Sequence, residues 1–350
     1  MEVYVLNKSF EMIGVIDVFK SLIWTKRYYT FGDFELYIPA DSNVLQYIKH
    51  DYYLQRKDDD AVMIIEKLRI ATDAENGDYF IVSGRSLESI LLRRVFRKQF
   101  VLNNSGYLSD AVSAMLTECT TDQGTSRPQG YRSLPITVEQ NTFDGQMNIQ
   151  FTGQTLLDAI ISICQPKDVG IKVTLSGQSM ILSMYHGQEV LVTFSPDFDN
   201  LISSEYSFDT SNLRQLAYIA GEGEGDDRRI MTVQNVPFIY TPIGIDFREM
   251  FVDARDLSSN NGQISAPEYT NMLSARARQK LAENSIVESF EASIVPEMTY
   301  HYKTDYNLGD VVTVTNEYGI TSKPRIIEII ECWDETGYSV IPTFDALEVQ

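Results

Sequence analysis

Cysteine, histidine and tryptophan are scarce in this chain, and each scarcity closes off a class of function. The three cysteines, Cys119, Cys164 and Cys332, are far apart and each lies among apolar neighbours. They form no disulfide framework and no cysteine-based metal site. They read as reduced core thiols of a protein made in a reducing cytoplasm. The three histidines, His50, His186 and His301, include no pair at helical spacing. An HExxH-type zinc site is therefore not present. No GxxxxGK(S/T) phosphate loop occurs. Gly177-Gln178-Ser179 begins like a nucleophile elbow, but Ile181 stands where the second glycine belongs, and a hairpin turn fits better. Basic charge is also short: 29 Lys and Arg face 49 Asp and Glu, a net charge of −20. Such a surface repels the phosphates of nucleic acid. No apolar run approaches membrane-spanning length, and Met1–Phe10 lacks the basic and apolar regions of a signal peptide, so none is expected.

What is present points to β structure. Aromatics make up 11% of the chain, with 20 Tyr and 17 Phe, residues that suit a pleated surface. The length of 350 residues allows two or more domains, each with its own core. The organising stretch is Asp51–Ser83. It reads as strands over Asp51–Arg56, Met63–Ile70 and Tyr79–Ser83, with turns at Lys57–Asp60 and Asp73–Gly77. The same plan returns in Asp310–Pro342. Asp51-Tyr52-Tyr53 lines up with Asp310-Val311-Val312, Ile64-Ile65-Glu66 with Ile326-Ile327-Glu328, and Tyr79 with Tyr338. Two related units, one early and one late, are therefore expected.

Around the early unit, Val3–Leu6 and Ile13–Asp17 flank a hairpin turn. Ser21–Tyr29 leads into Phe31–Pro39, where Phe34, Leu36 and Ile38 alternate with Glu35 and Tyr37 as in a half-buried strand. Together these strands make a barrel or curled sheet. Ser86–Arg97 reads as a closing helix. Its basic cluster, Arg93, Arg94, Arg97 and Lys98, is either a solvated helix end or a contact with an acidic neighbour chain. Helices follow over Leu108–Thr120, capped by Ser109, and Thr152–Cys164, with a loop over Thr121–Leu134. A hairpin spans Gly170–Tyr185, and Gln188–Thr193 adds a strand. Further on, Asn212–Gly221 and Arg228–Gln234 are strands, Pro267–Asn284 is the longest helix, and Ser289–Val295 is a strand. The expected fold is mainly β with α+β inserts. A first β-barrel domain spans 1–98, an α/β insert 99–200, and a second β-barrel domain 201–350, with a helical insert near 267–284.

Catalytic chemistry is not found. Four carboxylates in Gly221–Asp227 suit a hard cation in number, but their order is not that of an EF-hand, and a solvated acidic loop is the plainer reading. With 49 acidic residues, no pair for glycoside cleavage can be singled out.

Several segments together resemble a known family. They are Trp24 with Tyr28, Gly32–Pro39, Met63–Glu66, Ser83–Leu87, Leu91–Arg94, Asn307–Val312 and Ile341–Phe344. This pattern of strand residues is similar to the tail hub proteins of siphophages and prophages, related in architecture to the trimeric hub of contractile tails. The resemblance spans nearly the whole chain. It implies a non-enzymatic homotrimer in which two tube-like barrel domains per chain make a pseudo-sixfold ring. That ring joins the tail tube to the tip and lets DNA pass. The implied partners are the tail tube or distal tail protein, tip, fibre or receptor-binding proteins, and the tape measure protein. No cofactor or metal is implied. The implied place is the virion, at the tail tip, after synthesis in the host cytoplasm. Many relatives carry a C-terminal lysin or peptidase domain, which is not expected here. Lumen-facing candidates are the acidic turns Asp58, Asp59, Asp60 and Glu222, Glu224, Asp226, Asp227. Two other readings stay open: a glycan-binding receptor module, for which Trp24 and Trp333 would need exposure, and a carboxylate-based cell-wall hydrolase.

Overall fold

Alternation builds the frame. The strand Asp33–Pro39 buries Phe34, Leu36 and Ile38 and leaves the residues between them half-buried. Repeated in neighbouring strands, this pattern gives a sheet with one face in a core and one face open. The structure is a computed structural model. It describes residues 1–350 except 41, 74–76, 122–129, 235–242, 261, 295–298, 320 and 346–350. The expected turn over Asp73–Gly77 and the expected loop over Thr121–Leu134 fall largely among the undescribed residues.

The fold is mainly β. Its largest sheet has 11 strands and is shared by the early and late parts of the chain. The early half contributes Ser21–Arg27, Asp33–Pro39, Lys67–Asp73 and Gly77–Arg85. The late half contributes Leu201–Asp209, Val287–Ile294, Arg325–Asp334 and Gly337–Asp345. In both halves the strands lie side by side in the order first, second, fourth, third, and every neighbour along this path is antiparallel. The halves meet where the third strand of the late half, Arg325–Asp334, pairs with the first strand of the early half, Ser21–Arg27.

Each half folds a second layer onto its core face. In the early half, Val3–Leu6, Met12–Ile16, Tyr53–Arg56 and Val62–Ile64 form a small sheet. Val3, Val5, Leu54 and Met63 from this sheet pack on Trp24, Phe34, Leu36 and Val82. In the late half, Val192, Phe194, Val312 and Val314 pack on Ile326, Ile329, Val340 and Phe344. The layers curl into each other, through the Met63–Ser86 bridge early and the Val311–Arg325 pair late.

The repeat is real in topology, but its alignment slips by one residue. The early hairpin ends at the pair Asp73–Gly77 and the late one at Asp334–Gly337. Counting back places Ser339, not Tyr338, at Tyr79. A slip of one moves a side chain to the other face of the sheet. The expected strand Met63–Ile70 is two strands, Val62–Ile64 and Lys67–Asp73, because the chain crosses between layers at Ile65-Glu66. The expected helix over Ser86–Arg97 is a 3-10 segment, Leu87–Arg93. Residues Leu87 to Leu91 are all buried there, so no one-sided amphipathic helix has a solvent face to use.

Two inserts complete the chain. The helices Leu108–Thr120 and Leu156–Cys164 and the hairpin Gly170–Ser176 with Ser179–Tyr185 share one core. Tyr107, not Ser109, caps the first of these helices; its N–H donates to Asp110 at 2.9 Å. Glu189–Phe194, expected in the same insert, instead pairs in parallel with Val311–Thr315 of the late half. The second insert is more than a helix. Ile230–Gln234, Leu216–Ala220 and Glu249–Asp253 make a three-stranded sheet backed by the helix Ala266–Ala282. No helix among the described residues is long and apolar enough to cross a membrane.

Candidate functional site

The seam between the halves concentrates the buried charge. Arg56 ends the strand Tyr53–Arg56, two residues after Leu54, so it lies on that strand's core face. Glu331 lies two residues after Ile329 and also points inward. Their side chains are 0% and 1% exposed, and Arg56 Nη1 donates to Glu331 Oε2 at 2.8 Å. The Arg56 guanidinium lies 4.1 Å from the Trp333 ring centre. Burial alone would pull the Arg56 pKa down, but hydrogen bonds to Glu331 and Asp58 outweigh it and the net shift is upward.

The expected acidic turn Asp58–Asp60 sits on this seam. The Asp59 side chain is 1% exposed and faces Lys26 at 2.6 Å and Lys303 at 3.0 Å. Burial pushes its carboxyl pKa up, the two lysines more than offset that, and the net shift is downward. A side chain so enclosed has no surface with which to line a bore. Asp58 and Asp60 remain exposed, ion-paired to Arg56 at 2.5 Å and Lys172 at 3.3 Å respectively. A cleft of about 390 Å³ opens beside them, lined in part by Lys26, Asp60, Lys172 and Lys303. Lys172 pairs with Asp60 there, and Lys26 and Lys303 both pair with Asp59.

The second acidic turn is far less enclosed. Glu224, Asp226 and Asp227 are exposed in the hairpin between Leu216–Ala220 and Ile230–Gln234. Glu222 is tied down, accepting from the Ser259 N–H at 2.9 Å. Among the described residues no three acidic, histidine or cysteine side chains converge as metal ligands would. Cys119 and Cys164 are buried, and burial pushes both thiols up to about 12. Thiols so placed are poor nucleophiles at neutral pH.

Tyr28 ties the middle insert to both halves. Its hydroxyl shares its one proton between the Asp168 and Tyr185 carbonyls, at 2.9 and 3.0 Å, and accepts from the Gly187 N–H at 3.1 Å. Its ring fills a slot where a Cβ on Gly170 or Gly309 would collide with it. The basic cluster Arg93, Arg94 and Arg97 is held within the chain by Asp51, Glu66 and the carbonyls of Arg132, Ser133 and Thr121.

The large sheet also has two open edges. The third strand of the early half, Lys67–Asp73, and the first strand of the late half, Leu201–Asp209, each pair on one side only among the described residues. Leu68, Ile70 and Phe208 are exposed along them.

A family model described as "Siphovirus ReqiPepy6 Gp37-like protein" matches residues 2–344. The chain belongs to this family. Solved structures share the fold of this Gp37-like chain. The 43 kDa tail protein of prophage MuSo2 from Shewanella oneidensis aligns over 98% of this chain and 97% of its own, with TM-score 0.59 and 14% identity. A tail protein from Neisseria meningitidis MC58 aligns over 98% and 95%, with TM-score 0.59 and 13% identity. Prophage tail protein gp18 from Listeria monocytogenes EGD-e aligns over 100% and 96%, with TM-score 0.57 and 12% identity. No curated protein matches the sequence. The Gp37-like chain thus has the fold of prophage tail proteins, as the resemblance led one to expect.

Proposed function

We propose that this Gp37-like protein is a structural hub of a phage tail tip. Three copies form a ring that joins the tail tube to the tip and lets DNA through without holding it. One observation carries the reading above the rest. The shared sheet is a tandem of two halves with the same strand order, joined third strand to first strand, with the same kinds of edge left open outside. A contact between two different surfaces, when repeated, generates a ring if the rotation closes. Two halves per chain make a ring of three chains pseudo-sixfold. The count of three follows the tail-hub resemblance. The partners on this reading are the tail tube or distal tail protein on one side, tip, fibre or receptor-binding proteins on the other, and the tape measure protein.

A net charge of −20 keeps DNA from sticking in the bore. The exposed acidic residues Asp58, Asp60, Glu224, Asp226 and Asp227 are proposed to supply part of that lining. Reversing them to Lys in assembled particles should slow DNA ejection; normal ejection would remove them from the lining. The glycan-binding alternative gains nothing from the tryptophans, since Trp24 is fully buried and Trp333 packs on Arg56.

Light scattering and negative-stain averaging of the purified protein test the hub directly. A trimeric ring with a central hole is the expected result. A dimer without a hole would overturn the reading.

A further inference from the structure

The two open edges of the sheet are complementary to each other, residue by residue, in one register. That register can be read from the seam the chain already contains. The hairpin ends Asp73–Gly77 and Asp334–Gly337 place Lys67 at the position of Glu328, Leu68 at Ile329 and Ile70 at Glu331. They also place Ser83 at Thr343. Ser83 pairs with Glu35 and Thr343 with Glu291, so Glu291 stands at Glu35. Glu35 pairs with Ile23 and Glu291 with Glu205, which places Asp209 at the position of Arg27 and Phe208 at Lys26.

The inner seam pairs Glu328 with Arg27, Ile329 with Lys26, Ile330 with Thr25 and Glu331 with Trp24. Transferred to the open edges, the same register pairs Lys67 with Asp209, Leu68 with Phe208, Arg69 with Ser207 and Ile70 with Tyr206. Every match is chemically sensible. Leu68, Ile70 and Phe208 are 39%, 56% and 55% exposed, and the register lays them along one face with Tyr206. Lys67 and Arg69 fall on the other face, opposite Asp209 and diagonal to Glu205, all four exposed.

We propose that the partner of the Lys67–Asp73 edge is the Leu201–Asp209 edge of a second copy of this chain, antiparallel, in that register. The proposal rests on the hub reading and names its contact. The charges also set the choice of edge. At the inner seam the third strand is acidic (Glu328) and the first strand basic (Arg27), in contact at 2.5 Å. At the outer seam the polarity is reversed. A swapped pairing would set Lys67 against Arg27, or Glu328 against Asp209. Like charges facing across a strand pair oppose it, so each third strand accepts only its own class of first strand.

A cross-link reads the register. Leu68→Cys and Phe208→Cys are placed in one chain with Cys332→Ser, and the purified assembly is oxidised and run on denaturing gels. Opposed residues on paired strands lie within disulfide reach. A covalent ladder from this pair, absent from a control pair of Leu68→Cys with Glu205→Cys, is expected. A wild-type ring whose variant fails to cross-link, or cross-links through the control pair, overturns the register and leaves the hub standing. A wild type that forms no ring overturns both. Charge reversal is the second arm. Lys67→Glu and Asp209→Lys should each weaken ring association by on the order of tenfold per seam. The two together in one chain should restore it. A folded double variant that stays dissociated overturns the ion pair.

Discussion

Arg56 is the residue on which the interior charge depends. Its guanidinium is enclosed between Glu331, Asp58 and Trp333, and removing Glu331 takes away its one fully buried, hydrogen-bonded counter-ion and leaves it only the exposed Asp58 in direct contact. Glu331→Ala should therefore cost about 3–5 kcal/mol of stability in chemical denaturation. Arg56→Met combined with Glu331→Leu should unfold at a higher midpoint than either single variant, since no orphan charge remains. Asp59 adds an acid limit. Its pKa is lower folded than unfolded, so its contribution is present above the unfolded value of about 3.9 and is lost as pH falls below it. Glu88 has the opposite sign. Its carboxyl is buried, accepts from the Val173 N–H at 2.6 Å and from Ser86, and burial raises its pKa. A raised folded pKa contributes stability below the unfolded value and loses it as pH rises through the folded one. Glu88→Gln should raise the melting temperature at pH 8 and raise it less at pH 5; a uniform gain would remove the titration from the explanation. This network was half legible in the sequence. Arg56 and Glu331 both fall on the buried beat of their strands, two residues beyond Leu54 and Ile329. That is a signal for paired burial, but the two are 275 positions apart, and nothing local says which cation meets which anion. For the same reason Asp59 reads as a surface turn until Lys26 and Lys303 are seen beside it.

At the scale of elements, the strands were legible wherever one face is buried and the other is not. Asp33–Pro39 follows its alternation closely, and the hairpin Gly170–Tyr185 forms with its turn where the sequence places it. The helix Ala266–Ala282 is also visible from its sequence, with Ser265 capping the Glu268 N–H. What alternation does not carry is which sheet a strand joins. Met63–Ile70 has the periodicity of one strand, yet the chain leaves the small sheet after Ile64 and enters the large one at Lys67. Gly84 permits this crossing: a Cβ there would run into the Ile64 carbonyl, on backbone that has no side-chain freedom with which to yield. Gly84→Ala should force the layers apart and lose several kcal/mol of stability, on the scale of other strained or overpacked core changes. Thermal unfolding of the purified variant checks this, and a midpoint within a degree of the wild type would mean the crossing is looser than its geometry. The order of strands within the halves was likewise invisible to the sequence, because pairing is decided between strands tens of residues apart and nothing local names the partner.

For the whole molecule, charge and assembly pull in different directions. Each copy carries −20, so copies brought together repel over tens of ångströms. The seam contacts Lys67–Asp209 and Arg69–Glu205 act over only a few ångströms and in a partly dry interface. Salt distinguishes the two ranges. The Debye length falls from about 30 Å at 0.01 M to about 8 Å at 0.15 M, which removes the long repulsion and leaves close pairs much less affected. The apolar row of Leu68, Ile70, Phe208 and Tyr206 is not weakened by screening at all. Ring formation should therefore strengthen as salt rises from 0.01 M to 0.15 M. Light scattering across that range, at fixed protein concentration, measures it. Weakening over the same range would mean that short ion pairs rather than apolar burial hold the seam, and the charge-reversal variants would then show the larger effects. The same balance bears on the bore. On the hub reading proposed above, a ring held by apolar contact and local pairs would tolerate an acidic bore, through which a phosphate backbone would pass without being caught.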